Sequence, residues 1–380
     1  MKITIVLGAF FPVPPIMGGA VEKVWFALAS EFAKRGDEVV MVSRKTPGLP
    51  REETIDGVKH LRVDGFDTPR SIIWLKFLDL IYSIRVLSVL PSADIIVTHT
   101  FWLPILLRSA KRGKIYVHVG RYPKGQMRFY RHVARLQTLT RALARAISEQ
   151  APDLEPKISV VPNPAPEPQA PGAPPSLAER ERIMLFVGRV HPEKGVHLLV
   201  DAFAGKPAAF KDWKLVIVGP AEIKLGGGGT GYLADLKRRA RDAAVIFRGP
   251  IFDPFALEKE FRSARIFAYP SLAERGETFG LAALEGMAHS CAVFVSDLGC
   301  FHDFIRDGET GFIFNHRAQN PVESLREKIA SAIVDPTLLA RVADAGYRSS
   351  ADYSIQRVAD QFLADFNSVL RESDATRTSR

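Results

Sequence analysis

The stretch E-T-F-G-L-A-A-L-E, residues 277–285, sets two carboxylates eight positions apart with the start of a helix between them. A strand-like run, Arg-Ile-Phe-Ala-Tyr-Pro at 265–270, precedes it. From Phe279 the chain reads Phe-Gly-Leu-Ala-Ala-Leu-Glu-Gly-Met-Ala, with good helix formers after the glycine. Glu277 is therefore expected before the helix and Glu285 within it. Free backbone N–H groups and the positive dipole end at a helix N-terminus favour a phosphate, so residues 279–281 are expected to hold a diphosphate. Glu285, about two turns in, then reaches ribose hydroxyls on one side while Glu277 reaches the group on the other. A nucleotide-sugar fits this bipartite arrangement. Read alone, the same residues also describe an ordinary helix with one Glu near its N-terminus and one on a solvated face.

Upstream, Ile-Met-Leu-Phe-Val (183–187) reads as a strand, followed by G-R-V-H-P-E-K-G (188–195) and a helical pattern of Val196, Leu199, Val200 and Phe203. Arg189 and Lys194 thus occupy a strand-to-helix loop, the carboxyl-end position where open α/β sheets bind ligands. Two cations there neutralise a diphosphate leaving group. The loop lacks the Gly-Lys-Ser/Thr ending of an ATP-binding P-loop. The glycines at 226–231 contain G-x-G-x-x-G, but Pro220 and a charged interruption separate them from their strand, Lys214 to Val218. The dinucleotide fingerprint needs that turn directly after the strand, so a mobile loop near the donor pocket is expected instead.

G-R-x-x-x-E-K-G, then P-S, E-x-F-G-x-x-x-x-E, S-D-x-G and D-G-x-T-G-F (Asp307 to Phe312) together resemble the retaining glycosyltransferases of family 4, whose fold is GT-B. The resemblance reaches the amino-terminal half through a strand at Lys2 to Leu7, the pair Gly18 and Gly19, and a helix carrying Val21, Trp25, Leu28 and Phe32. It implies that Arg189 and Lys194 bind the donor phosphates, Glu285 the ribose and Glu277 the transferred sugar. Phe279, Gly280 and Leu281 would cradle the diphosphate, Gly19 would give a close backbone approach from the other domain, and Gly18 and Ile251 would complete the donor-binding set. His118, in Ile-Tyr-Val-His-Val-Gly, falls where the family places a histidine near the reacting sugar. His99 is similarly placed at a strand end, with a claim to the acceptor pocket. The catalytic set implied is His118, Glu277, Arg189 and Lys194. Three departures stand out. Ala288 to Ala292 replaces a small-Cys-Gly-x-Pro turn, Leu298-Gly299-Cys300-Phe301 follows Asp297 where a second glycine is common, and Arg121 and Lys124 stand where an acidic residue usually follows the histidine. The last is read as an adaptation to the acceptor.

At 380 residues the chain is long for one core. A proline-rich run at 161–175 marks a semi-rigid linker. Strands alternate with helical patterns on both sides, the signature of two parallel-sheet α/β domains. The expected organisation is an acceptor-binding domain at 1–160, a linker at 161–182, a nucleotide-sugar-binding domain at 183–352, and a helix with a polar tail at 353–380. The GT-B expectation adds that two Rossmann-like domains face each other across a cleft, with the last helical pattern (Val358, Phe362, Phe366, Leu370) crossing back to the first.

Met1 to Leu7 reads as a core strand and not as a signal peptide. The two cysteines, Cys291 and Cys300, suit a reduced cytosolic protein. Neither sits in a metal-ligand pattern, so a metal-independent site is expected. The net charge is +9, and Arg121, Lys124, Arg128, Arg131, Arg135, Arg141 and Arg145 are interleaved with Tyr122, Phe129, Tyr130 and Leu136. That stretch suits an anionic lipid or a phosphorylated acceptor. Residues 72–90 are apolar but interrupted by Lys76, Asp79 and Arg85, which argues for a buried or interfacial amphipathic helix over a membrane span. No nucleic-acid recognition motif is present.

The expected function is transfer of a sugar, with retention, from a nucleotide-diphosphate-sugar to a hydroxyl on a lipid-linked or cell-surface glycan precursor. The donor is a substrate and no cofactor is expected. The site is expected in the cytoplasm, peripheral to the inner membrane face. Two alternatives share the donor constellation: a nucleotide-sugar epimerase on the same fold, and a non-catalytic nucleotide-sugar-binding protein.

Overall fold

The computed structural model describes all residues except 109, 171, 206, 207, 242, 379 and 380, and gives only the backbone of 110 and 373–378. The chain divides into two compact units: Met1–Pro164 together with Ile355–Arg380, and Ala165–Ser354.

The first unit is built on eight strands, β1 (Lys2–Val6), β2 (Glu38–Lys45), β3 (Glu52–Ile55), β4 (Val58–Asp64), β5 (Ile95–Thr98), β6 (Lys114–Val119), β7 (Arg135–Thr138) and β8 (Ile158–Val160). Their order is β3-β4-β2-β1-β5-β6-β7-β8. All neighbours pair parallel except β3 with β4. The inner strands are continuous apolar runs because helices cover both faces of a parallel sheet. Helices α1 (Ala20–Lys34), α2 (Ile72–Val89), the single turn α3 (Leu103–Leu106) and α4 (Arg141–Gln150) belong to this unit. Chain order reverses on either side of β1, so the loops after β1 and β5 diverge at a switch point.

The second unit has six strands, all parallel: β9 (Glu181–Val187), β10 (Lys214–Val218), β11 (Val245–Gly249), β12 (Ala264–Tyr269), β13 (Ala292–Ser296) and β14 (Phe312–Phe314). The order β11-β10-β9-β12-β13-β14 puts the reversal between β9 and β12. Its helices are α5 (Val196–Ala204), α6 (Gly229–Arg239), α7 (Pro254–Ser263), α8 (Leu281–Ala288), α9 (Pro321–Ile333) and α10 (Pro336–Ser350). The proline-rich run from 165 onward is fastened to this unit. Ala165 N–H donates to the Tyr353 carbonyl at 2.7 Å, and the buried Glu258 carboxylate accepts from the Gln169 and Ala170 amides.

The last helix, α11 (Ile355–Thr378), packs on the first unit, as the apolar spacing at its start leads one to expect. Phe362 meets Trp25 and Phe32, Phe366 meets Phe32 and Tyr116, and Asp365 pairs with Arg135 at 3.0 Å and accepts from the Tyr116 hydroxyl at 2.7 Å. Arg135, one of the seven cations in the basic stretch, is therefore buried between Asp365 and Glu372. Arg131 is paired with Asp153 at 2.6 Å. The basic stretch is not a single free face.

Several buried groups make stability depend on pH. Burial holds the imidazoles of His60 and His118 down at about 4, and pushes His99 well below its ordinary value with the help of the His118 ring. A histidine whose folded pKa is depressed contributes stability that is whole above its unfolded value near 6.5 and is lost as pH falls toward 4. Asp79 acts oppositely. Burial lifts it to about 6, so its contribution is lost as pH rises through 6. The depressed histidines, which also include His289 and His197, outnumber the raised carboxyls of Asp79 and Glu22, so the melting temperature is expected to fall steadily between pH 7 and pH 4.5, because a tenfold difference in proton affinity between the folded and unfolded chain is about 1.4 kcal/mol. Thermal melts across that range check this, and a flat or rising curve on acidification contradicts the neutral histidines.

Candidate active site

The loops after β9 and β12 leave adjacent strands at the switch point, and backbone contact locks them together. Gly195 has φ +66°, and a Cβ built there would lie 1.8 Å from the Pro270 carbonyl oxygen, so only glycine lets the loops touch. Leu272 N–H donates to the Glu193 carbonyl at 2.7 Å. This closure brings Lys194 to Glu277 across 83 residues of sequence, Nζ to Oε2 at 2.7 Å, with both side chains about nine-tenths buried. The Tyr269 hydroxyl donates to the same oxygen at 3.0 Å, and its ring lies under the Lys194 ammonium. Burial and the Glu277 charge raise the Tyr269 phenol well above its ordinary value, so it stays a donor.

Arg189 sits in the same loop. It donates through one nitrogen to the Gly226 carbonyl at 2.7 Å and through the other to Glu193. The glycine-rich turn is thus the wall against which Arg189 rests, and the amides of Gly227, Gly228 and Gly229 are bonded to the carbonyls of Glu222, Val190 and Ala221. Guanidinium and ammonium groups carry five and three donors, so both cations retain capacity for an incoming anion.

On the other side, α8 starts one residue after Gly280, which has φ +85° and faces the Phe301 ring so closely that a Cβ would sit 2.3 Å from it. That left-handed residue ends the approach loop, and the first amides of the helix, at Leu281 and Ala282, have no intrahelical acceptors. Phe279 is buried against Phe304 and Tyr353 and serves as the anchor of the turn. Glu285 is half-buried one turn further along α8, its carbonyl accepting from His289. Ile251 is half-buried beyond the end of β11, two strands from β9.

Gly18 and Gly19 have φ +79° and +97° at the start of α1, and the Glu22 carboxylate folds back over Gly19. Burial raises that carboxyl, against the lowering influence of its own N–H and of Arg121. His118 lies on β6 beside Trp25 and His99, the two imidazole centroids 4.5 Å apart. Its Nδ1 meets Gln137 Oε1 at 2.5 Å. Gln137 Nε2 donates to the carbonyls of Thr138 and Val161, which orients the amide and leaves Oε1 as acceptor. His118 Nδ1 therefore carries the proton, and Nε2 presents a lone pair. The Nε2 of His99 is buried without a hydrogen-bond partner among the described residues.

Sequence reading missed Tyr269, Gln137, Glu22 and a belt of charges. Glu274 pairs with Arg317 at 2.8 Å and with His316 at 2.9 Å, while Arg317 reaches the Asp297 carbonyl and Asp297 meets His302 at 2.6 Å. The belt ties together the loops after β12, β13 and β14. Tyr269, inside the strand-like run 265–270, was the one signal available.

Residues 173–349 match the family described as Glycosyl transferases group 1, and residues 19–164 the Glycosyl transferase 4-like domain. The chain belongs to this glycosyltransferase family. It is 30% identical over 195 residues, 51% of its length and 42% of the relative's, to the D-inositol 3-phosphate glycosyltransferase of Segniliparus rotundus. It is 30% identical over 187 residues, 49% of its length and 51% of the relative's, to the lipopolysaccharide core biosynthesis mannosyltransferase LpcC of Rhizobium leguminosarum bv. viciae. The chain thus spans about half the length of these curated relatives. Its fold is GT-B. The sucrose-phosphate synthase of Thermosynechococcus elongatus superposes with a TM-score of 0.76 over 98% of this chain and 100% of that one, at 18% identity.

Proposed function

We propose that the protein is a retaining glycosyltransferase moving a sugar from a nucleotide-diphosphate-sugar to a hydroxyl of a lipid-linked or cell-surface glycan precursor at the inner membrane face. The observation that carries this reading is the meeting of Arg189, Lys194, Glu277 and the N-terminus of α8 at one switch point. Cations and free amides suit a diphosphate, and the carboxylate beside them suits a sugar hydroxyl. The name of the Rhizobium relative, a mannosyltransferase of lipopolysaccharide core biosynthesis, supports the acceptor class.

In this mechanism the bond from the anomeric carbon to the diphosphate breaks, its electron pair leaving with the phosphate oxygen. Arg189, Lys194 and the amides of Leu281 and Ala282 stabilise that growing charge, an effect largest in the transition state. The acceptor oxygen bonds to the anomeric carbon on the face the phosphate leaves, and its proton passes to a phosphate oxygen. Lys194 holds the Glu277 carboxylate in place while its other donors serve the diphosphate. Glu277 accepts from a hydroxyl of the transferred sugar, and His118 accepts another at Nε2. Glu285 takes the ribose hydroxyls, Ile251 and the Gly280 turn complete the nucleotide contacts, and Gly18 and Gly19 leave room for the donor.

Product analysis with a panel of nucleotide-sugars, with and without a lipid-linked acceptor, tests the reading. The expected product is a glycosylated lipid that keeps the donor's anomeric configuration and forms only with acceptor. An epimerised nucleotide-sugar made without acceptor, or an inverted linkage, overturns it.

A further inference from the structure

Helix α2 opens on an apolar run, Ile-Ile-Trp-Leu at 72–75. Its inner face packs through Asp79, Tyr82, Ser83 and Val86, and its outer face leaves Ile72, Ile73, Trp74 and Phe77 between 49% and 78% exposed. Scattered exposed apolar residues are ordinary, but four within six positions form a contiguous patch, which on a water-facing surface marks an interaction site. We propose that this patch, with the turn at α3 and the segment 121–131 beside it, lays into the headgroup layer of an anionic bilayer. The inference deepens the membrane-linked acceptor proposed above by naming the surface that reaches it.

The three segments form one surface. The Trp102 indole N–H donates to the Lys76 carbonyl at 2.8 Å, the Lys76 ammonium lies 4.7 Å from the centre of the Phe101 ring, and the Tyr130 hydroxyl donates to the Phe101 carbonyl at 2.9 Å. Tyr130 is buried in the short turn at 127–130, which also carries Phe129, 48% exposed, with the Arg128 guanidinium over its ring.

Charge selects the occupant. Residues 68–78, 99–108 and 119–135 contain no Asp or Glu, yet they supply Arg70, Lys76, Arg108, Arg121, Lys124 and Arg128 besides the two arginines already paired. The carboxylate of α2, Asp79, is buried and accepts from the Phe101 and Trp102 amides at 3.0 and 3.2 Å. An apolar patch rimmed by cations and lacking exposed acids matches a surface that inserts side chains among acyl chains while its cations meet lipid phosphates. No helix among the described residues is long and apolar enough to cross a membrane, so α2 lies in the interface plane.

The test uses the full chain without nucleotide or acceptor. It measures co-sedimentation with vesicles of phosphatidylcholine plus phosphatidylglycerol, beside phosphatidylcholine alone, and quenching of tryptophan fluorescence by brominated acyl chains. Binding to the anionic vesicles is expected, with quenching that drops in Trp74→Phe. Ile73→Asp is expected to weaken binding by on the order of tenfold or more, with melting temperature and nucleotide affinity unchanged. Absent binding at low salt, binding unaffected by Ile73→Asp, or binding without quenching overturns the proposal. Self-association abolished by Ile73→Asp in the absence of vesicle binding overturns it too, and assigns the patch to a second copy. Because neither donor nor acceptor takes part, failure here leaves the transferase reading standing, and failure of transfer leaves the docking surface standing.

Discussion

Glu277→Gln and His118→Ala are expected to lower the rate of transfer by on the order of 10²–10³ while leaving nucleoside diphosphate affinity near that of the wild type. Glu277 is held by Lys194 and Tyr269 through one carboxylate oxygen. The glutamine variant keeps the shape and an acceptor oxygen for Lys194 and Tyr269 while removing the charge offered to the sugar. His118 is neutral, with Nδ1 committed to Gln137, and its Nε2 lone pair is what the alanine variant removes. Interactions made with the reacting sugar alone show in kcat more than in the dissociation constant of the free nucleotide. The check is kcat beside nucleotide Kd for each variant, with folding verified by thermal melting. Loss of nucleotide binding in proportion to rate, in a folded variant, removes that residue from the sugar. Full turnover in both places the reaction elsewhere.

Arg189→Ala and Lys194→Ala are expected to weaken diphosphate binding and transfer together, each losing a charge-assisted contact worth about 1.5–3 kcal/mol. The two differ in their effect on folding. Arg189 is about two-fifths exposed, and its partners Glu193 and Gly226 remain solvated when it is removed. Lys194 is mostly buried, and its loss leaves the Glu277 carboxylate, among the described residues, with the Tyr269 hydroxyl as its remaining partner. Breaking a buried pair in this way costs about 3–5 kcal/mol, so Lys194→Ala is expected to lower the melting temperature and Arg189→Ala to leave it unchanged. The double variant Lys194→Met with Glu277→Gln separates stability from binding, since it removes both charges. Wild-type turnover in either single variant contradicts the phosphate role.

Local patterns were legible where they depended on neighbours in sequence. The strand read at 183–187 runs from 181, the one read at 265–270 spans 264–269, and the helix begins at 281, after Gly280. Phe279 stood at the edge of the expected helix, because the good helix formers come after the glycine. The positive φ of Gly280 excludes it, and its side chain fills the space beside Phe304 and Tyr353 instead. What stayed hidden depends on strand order. Nothing near Lys194 in the sequence announces that β12 will lie beside β9 and bring Glu277 to it. The tautomer of His118 is equally non-local, because it rests on Gln137 and, through it, on the Thr138 and Val161 carbonyls. Arg135 looked like one more surface cation until α11 supplied Asp365. Residues 72–90 read as a buried or interfacial amphipathic helix, and only the packed structure reveals that Asp79, Tyr82, Ser83 and Val86 face inward while Ile72, Ile73, Trp74 and Phe77 are left uncovered.

The central claim is that Arg189, Lys194 and the start of α8 form a nucleotide-diphosphate site. Calorimetric titration of the wild type with UDP, GDP, ADP and dTDP, repeated on the Arg189→Ala, Lys194→Met, Glu277→Gln triple variant, tests it most directly. At least one diphosphate is expected to bind the wild type, and its affinity is expected to fall by on the order of a hundredfold in the variant. No binding by any of the four, or equal affinity in a folded variant, contradicts the account.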